Sequence, residues 1–397
     1  MKNISPAFKN IVLSKIVKIS EIVREKKEEF EKGKGKPFIQ FQRGDIGIPT
    51  PDYIKKAVND ALQKGLTNYP KSGGENFFKD AVIEHLKEMG IKNIGRENIM
   101  ATYGGQEGLQ LVFSLFRGSK CIAFSPCWSC MLDNIFPYSE TNYKLLPLKE
   151  NFEIDFEKFE KSIKNAEILY LNNPHNPTGK VFTYEELEKI NYLCKKNDVL
   201  IVSDEAYKDI LFDGNKFYSM LKFDNDNVLS VFTFSKTFSA TGFRIGYTVS
   251  RIPSIIEKMT LGDYSQTAGV VTFLQYAFKE ALLNKEEREK WLNSFLKELK
   301  ERRNVAYEEL KSFIDDVYKP GGTFYFFIDL KKLIKKKIKR DIEDYIVNSL
   351  IEEGVAVTPG SAFGKDFSGY ARISISTLGK ELIREGIRRI KNFFLNN

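Results

Sequence analysis

The sequence predicts an α/β fold: a mixed, mostly parallel seven-stranded sheet sandwiched by helices, with a smaller α+β domain beside it. Short apolar runs alternate with helical segments between about residues 98 and 250, the pattern of a parallel sheet covered on both faces. Glycine- and proline-rich turns close several of those runs. Past residue 284 the pattern changes, as a long charged helix leads into strands and helices mixed together. The expected division is therefore 48–285 as the large α/β domain, with 1–47 and 286–397 forming the small domain and an N-terminal arm.

In chain order, Ile11 to Lys32 has helical spacing, with Val12, Ile16, Ile19 and Val23 on one face, and Gly33, Gly35 and Pro37 end it. Phe38 to Phe41 reads as a short strand, and Gly44 to Pro51 as a loop. Pro51-Asp52 opens a helix over Tyr53 to Lys64, and a second helix runs from Glu75 to Met89. Asn98 to Thr102 is the first sheet strand, running through Tyr103-Gly104-Gly105-Gln106 into a helix ending at Phe116. Strand, glycine turn and helix together aim backbone N–H groups at an anion. Six more strands are expected at Cys121–Ser125, Tyr143–Pro147, Ile168–Leu171, Val199–Ser203, Val228–Phe234 and Arg244–Val249, the last as an antiparallel partner. Helices are expected over Asn151–Asn165, Thr183–Asn197 and part of Leu211–Asp226. Asn284 to Asp315 is the long charged helix. Gly321 to Phe327 is a glycine turn into a strand, Asp341 to Glu353 a helix, Tyr370 to Ser376 a strand, and Gly379 to Leu395 the last helix.

The 397 residues are 42% hydrophobic and 29% charged, an ordinary soluble composition with a net charge of +8. That excess is spread out, and Leu333, Ile334 and Ile338 break up its densest run, Lys331 to Arg340, so no nucleic-acid partner is expected. No apolar run is long enough to span a membrane, and Lys9 and Lys15 interrupt what would be a leader's apolar core. The chain is expected in the cytoplasm. Cys127 and Cys130 have CxxC spacing, but two histidines and two further, unpaired cysteines give them no partners for zinc, so no metal is expected.

Chemistry gathers at three strand ends. Asn172-Asn173-Pro174-His175-Asn176-Pro177-Thr178-Gly179, Ser203-Asp204-Glu205-Ala206-Tyr207 and Ser235-Lys236-Thr237-Phe238-Ser239-Ala240-Thr241-Gly242-Phe243-Arg244 each follow an expected strand. In an open α/β sheet, ligands bind beyond the carboxyl ends of the strands. Asn176, Asp204 and Lys236 lie 28 and 32 residues apart, one strand–helix unit each. A lysine at a strand end near a second cation can be an amine of lowered pKa that forms a Schiff base. Arginine with hydroxyl groups suits a phosphate. Pyridoxal 5′-phosphate (PLP) wants both. Taken singly, Asp204 is equally a helix N-cap, Asn176 a turn residue and Trp128 a core aromatic.

In this order and combination, the motifs resemble those of the class I/II aminotransferases, which are PLP enzymes of fold type I, and the resemblance runs from about Lys15 to Phe394. It implies that Lys236 is the Schiff-base lysine and the acid–base group, with Asp204 against the pyridine nitrogen and Asn176 and Tyr207 on the ring's 3′-oxygen. It implies Thr233, Ser235, Arg244 and the amides of Gly105 and Gln106 around the phosphate, Trp128 stacked on the ring, and Tyr69 reaching the phosphate of a neighbouring subunit in a homodimer. It implies Arg372 on the substrate's α-carboxylate, with Gly44 beside it. The implied reaction moves an amino group between an L-amino acid and a 2-oxo acid. A PLP-dependent carbon–sulfur β-lyase and a non-catalytic PLP-binding regulator share the same motifs. Gly44-Asp45-Ile46 departs from the family's usual glycine–acid–proline loop, and only Arg43 and Arg251 offer themselves for a second substrate carboxylate.

Overall fold

The computed structural model describes residues 4–32, 36–335 and 341–396. Gly33, Gly35 and the end of the basic run, 336–340, lie outside them. The small strand β1 (Ile39–Gln40) comes first. The large sheet then takes β2 (Ile99–Thr102), β3 (Lys120–Ser125), β4 (Asn142–Pro147), β5 (Ile168–Asn172), β6 (Leu200–Asp204), β7 (Val228–Thr233) and β8 (Gly246–Ser250). Their spatial order is β2-β8-β7-β6-β5-β3-β4. β8 is antiparallel to both neighbours, and the other pairings are parallel. The expected seven strands and the single reversed one are therefore present.

Both faces of this sheet are buried, which is why β5 and β6 read as unbroken apolar runs. On one face Phe78, Phe124, Leu169, Ile201 and Phe278 belong to one cluster; on the other Leu109, Val112, Phe113, Tyr170 and Val202 belong to a second. A third cluster joins Phe41, Phe295, Leu299, Phe324, Ile373 and Ile387 around β9 (Tyr325–Asp329), β10 (Val355–Ala356), β11 (Thr358–Pro359) and β12 (Tyr370–Ser374). There β12 lies antiparallel between β9 and β11, and β10 pairs in parallel with β1. The 27-residue helix Lys285–Lys311, capped by Asn284, leads into this part.

Three helix expectations need correction. The first helix begins at Lys15, not Ile11, after a separate turn at Pro6–Lys9, and Val12 is exposed instead of sharing the buried face of Ile19 and Val23. The second begins at Phe156, because Asn151 and Phe152 are left-handed and Asp155 supplies the N-cap. The third, in Leu211–Asp226, is only a 3₁₀ turn at Met220–Lys222. Leu211 instead bridges to Gly322, and the left-handed Asp213 and Gly214 prevent any helix from starting there.

Candidate active site

The strands β5 and β6 end level, since Asn172 pairs with Asp204, and β7 runs on past Val231, the partner of Asp204, to Thr233. A cavity of about 210 Å³ opens beyond them. It is lined by Asn176, Asp204, Tyr207, Thr233, Ser235, Lys236 and Arg244 from these strand ends, by Gly105, Gln106 and Trp128, and by Gly44 and Arg372 from the other part of the chain. Every residue expected at the site is thus brought to one cavity except Tyr69, whose side chain is 91% exposed and stands away from it.

Asp204 is buried, and burial pushes its carboxyl up to about 6 against the opposing pull of a hydrogen bond from Tyr170 (Oη to Oδ2, 2.9 Å), one from the Ala206 N–H and the charge of Lys236. It caps no helix, since a turn follows it. Asn172 braces the neighbouring strand end: its Nδ2 donates to the Asp204 carbonyl and its Oδ1 accepts from the Asn176 N–H at 2.7 Å. His175 serves this turn, with Nδ1 2.7 Å from Thr178 Oγ1, and burial holds it neutral by taking its pKa down to about 3.

Burial also lowers the Lys236 ammonium to about 8. Arg372 and Arg244 push the same way, while Asp45 and Asp204 oppose them. Its Nζ donates to the Gly44 carbonyl at 2.7 Å. The next residue is pinned from behind, because Thr237 Oγ1 donates to Asp209 Oδ2 (2.8 Å) and the Thr237 carbonyl accepts from Trp291 Nε1 (2.8 Å). Burial disfavours the Asp209 carboxylate, but Lys208, with Nζ 2.8 Å from both oxygens, outweighs that and keeps it charged. Thr237→Val, which keeps the volume and loses the hydroxyl, is expected to cost about 1.5–3 kcal/mol in a urea melt, whereas Thr237→Ser should cost little.

Arg372 is buried and held in place by three acceptors: Asn176 Oδ1 (3.1 Å), the Gln42 carbonyl (3.1 Å) and Thr358 Oγ1 (3.3 Å). Its guanidinium lies 4.3 Å from the Tyr325 ring centroid, and its Nε is buried without a hydrogen-bond partner. Tyr325 Oη in turn lies 3.0 Å from Tyr207 Oη. A Cβ at Gly44 would come 2.9 Å from that Tyr325 oxygen, so the close approach of this loop requires glycine. Gly104, with φ of +74°, opens the helix Gly104–Leu115 and lets Arg244 pack where a Cβ would lie 2.9 Å from Nη2. Thr233 Oγ1 donates to Ser235 Oγ at 2.9 Å beside it.

Sequence reasoning missed Tyr170, Asn172, Tyr325 and the cavity wall residue Ile16. Arg43 and Arg251, named for a second carboxylate, do not line the cavity: Arg43 is exposed, and Arg251 donates to the carbonyls of Lys92 and Leu221. Among the described residues no cluster of three metal-ligating side chains occurs, and Cys127 is buried with its thiol pushed well above its ordinary pKa by desolvation.

The family model for aminotransferase class I and II matches residues 36–390. The chain belongs to that family. A probable aspartate/prephenate aminotransferase of Aquifex aeolicus is 34% identical over 371 residues, covering 91% of this chain and 92% of its own. The aromatic-amino-acid aminotransferase 2 of Thermococcus litoralis is 30% identical over 353 residues, covering 87% and 88%. Among solved structures, the aspartate aminotransferase of Thermus thermophilus with maleate superposes with a TM-score of 0.90 at 26% identity, covering 99% of this chain and all of that one. The fold is that of the fold type I enzymes, and the chain is a PLP-dependent aminotransferase that exchanges amino groups between amino acids and 2-oxo acids. The donor set fits PLP on its own terms. A buried acid suits a ring nitrogen, while a helix N-terminus with two hydroxyls and an arginine suits a phosphate.

Proposed function

We propose that Lys236 carries the cofactor and, once displaced by substrate, moves the proton at the substrate's Cα. The observation that carries this reading is the Lys236 amine at about 8, facing the same cavity as the buried Asp204. An amine that loses its proton near neutral pH can serve as nucleophile and as base. Bound PLP supplies an aldehyde that condenses with amines and a ring that draws electrons from the substrate carbon. Asp204 would keep the ring nitrogen protonated by its charge. Asn176 and Tyr207 would direct hydrogen bonds to the ring oxygen, with Tyr325, 3.0 Å from the Tyr207 hydroxyl, orienting it. Thr233, Ser235, Arg244 and the amides of Gly105 and Gln106 would hold the phosphate, and Trp128 would meet the ring.

Arg372 takes the substrate's α-carboxylate beside Gly44 and Asn176. Its partnerless, buried Nε favours this, since a carboxylate can supply the missing acceptor. Arg372→Lys loses the forked geometry and is expected to raise KM for every amino donor by roughly 10–150-fold, the equivalent of about 1.5–3 kcal/mol. Steady-state kinetics with at least two donors checks this; a change confined to one donor would place Arg372 on the side chain instead.

We extend the reading to a homodimer in which Tyr69 reaches the partner's phosphate site, and to a division into a 48–285 domain and a second domain of 1–47 with 286–397. An almost fully exposed tyrosine in a loop supports the first, and the separate hydrophobic cluster around β9 and β12 supports the second. Small-molecule amino and 2-oxo acids are the partners, without nucleic acid or membrane, in the cytoplasm. Among the described residues no helix is long and apolar enough to cross a membrane. The test is a half-reaction. PLP-loaded protein given an L-amino acid should yield the 2-oxo acid and the aminated cofactor in equal amounts, and a 2-oxo acid should restore the starting spectrum. Release of ammonia with no need for an acceptor would contradict it.

A further inference from the structure

Resting on the role proposed for Lys236, we infer that Asp209 is a positioning residue for it: through the Thr237 hydroxyl, Asp209 fixes where the lysine's backbone stands, and so sets the rate of the chemical step with no part in substrate affinity. Lys236 belongs to the four-residue helical turn Phe234–Thr237. One end of that turn is held by Thr233, whose Oγ1 accepts from the Ser235 N–H at 3.2 Å. The other end is Thr237, held by Asp209 through its hydroxyl and by Trp291 through its carbonyl, at 2.8 Å each. The amine rides on a flexible four-carbon stem, so the backbone at its root decides its reach. A displacement of about 1 Å in a reacting group can cost about a hundredfold in rate.

Asp209 is itself anchored. Lys208 Nζ lies 2.8 Å from both of its oxygens and 3.1 Å from His85 Nε2. Burial and the Lys208 charge take His85 down to about 3, so its ring stays neutral and Nε2 can accept from the ammonium. His85 stands on the helix Asn76–Glu88, and the contacts run from that helix through Lys208, Asp209 and Thr237 to Lys236. Asp209 also lies five residues after Asp204, on the loop that carries Tyr207. Its bond to Thr237 therefore ties that loop to the turn bearing Lys236, and holds the lysine in register with the residues proposed to meet the cofactor ring. His85, Lys208, Asp209 and Thr237 line a second, small cavity of about 40 Å³, and none of the four lines the active-site cavity. They touch neither substrate nor cofactor, so they act on the chemistry by position.

The experiment follows single turnovers of the PLP-loaded full chain by its cofactor spectrum. The donor is whichever of L-aspartate, L-phenylalanine and L-leucine the parent converts fastest, and the temperature is one at which circular dichroism shows the variants folded. Thr237→Val should lower the maximal rate about 10–100-fold and leave the half-saturating donor concentration within about twofold of the parent's. Thr237→Ser, which returns the hydroxyl, should bring the rate back to within about threefold. Asp209→Ala should lose at least as much as Thr237→Val, and the double variant should be no slower than the slower single, because both changes remove one link. A Thr237→Val rate near the parent's, a loss that falls on half-saturation instead of rate, no recovery with serine, or losses that multiply in the double variant overturns the inference. Should Asp209→Ala not fold, the contrast of valine with serine at 237 decides by itself. Lys236→Ala is run beside them. If it keeps the parent rate, the role of Lys236 fails and this inference with it; if it is inactive beside a fully active Thr237→Val, this inference alone is overturned.

Discussion

Lys236→Ala is expected to lower the single-turnover rate of amino-group transfer by at least about a thousandfold. A positioned acid–base group contributes roughly 10²–10⁴-fold by itself, and here one amine is also the point of attachment. No neighbour can replace it. Tyr207 is buried with its phenol held far above its ordinary pKa, and the other cationic side chains of the cavity are guanidinium groups, which do not serve as bases. The substitution removes a side chain from a cavity wall, so the fold should survive, and a near-native melting profile beside the lost rate would separate chemistry from stability. Rescue by a small external amine would strengthen the reading. A residual rate within tenfold of the parent would defeat it.

Asp204→Asn is expected to slow the same half-reaction by about 10²–10³-fold. Removing one partner of a buried charge pair costs about 3–5 kcal/mol, and each 1.4 kcal/mol is tenfold. The amide nearly matches the carboxylate in shape: its oxygen can keep the Ala206 N–H bond, and the Tyr170 hydroxyl can turn to accept from its NH₂ group. What disappears is the negative charge under the ring nitrogen. Rate should therefore fall much more than cofactor occupancy. Equal losses in both would instead make Asp204 a binding residue with no part in the chemistry.

Much of this site was legible because strand ends are legible. β5, β6 and β7 are apolar runs, and each is followed at once by polar residues of distinct type, so Asn176, Asp204 and Lys236 could be placed together from topology. The braces were not legible. Tyr170 sits inside β5 and reads as one more large apolar residue; only its register beside Val202 and its reach to Asp204 reveal the hydrogen bond. Tyr325 stands between Phe324 and Phe326 and reads as core until Tyr207, 118 residues away, meets it. Asn172 looks like the lesser half of an Asn-Asn pair. The helix Pro253–Thr267 escaped detection because its exposed side carries Leu261 and Tyr264, which blurs the apolar stripe made by Ile255, Ile256 and Met259. In 211–226 the composition suits a helix, but the left-handed Asp213-Gly214 pair breaks the chain there.

The most direct test is to find the atom that holds the cofactor. Borohydride reduction of the PLP-loaded protein, digestion and mass spectrometry should place one phosphopyridoxyl group on the peptide containing Lys236, and reduction of Lys236→Ala should place none. Modification of a different lysine, or the same yield from both proteins, would contradict the account.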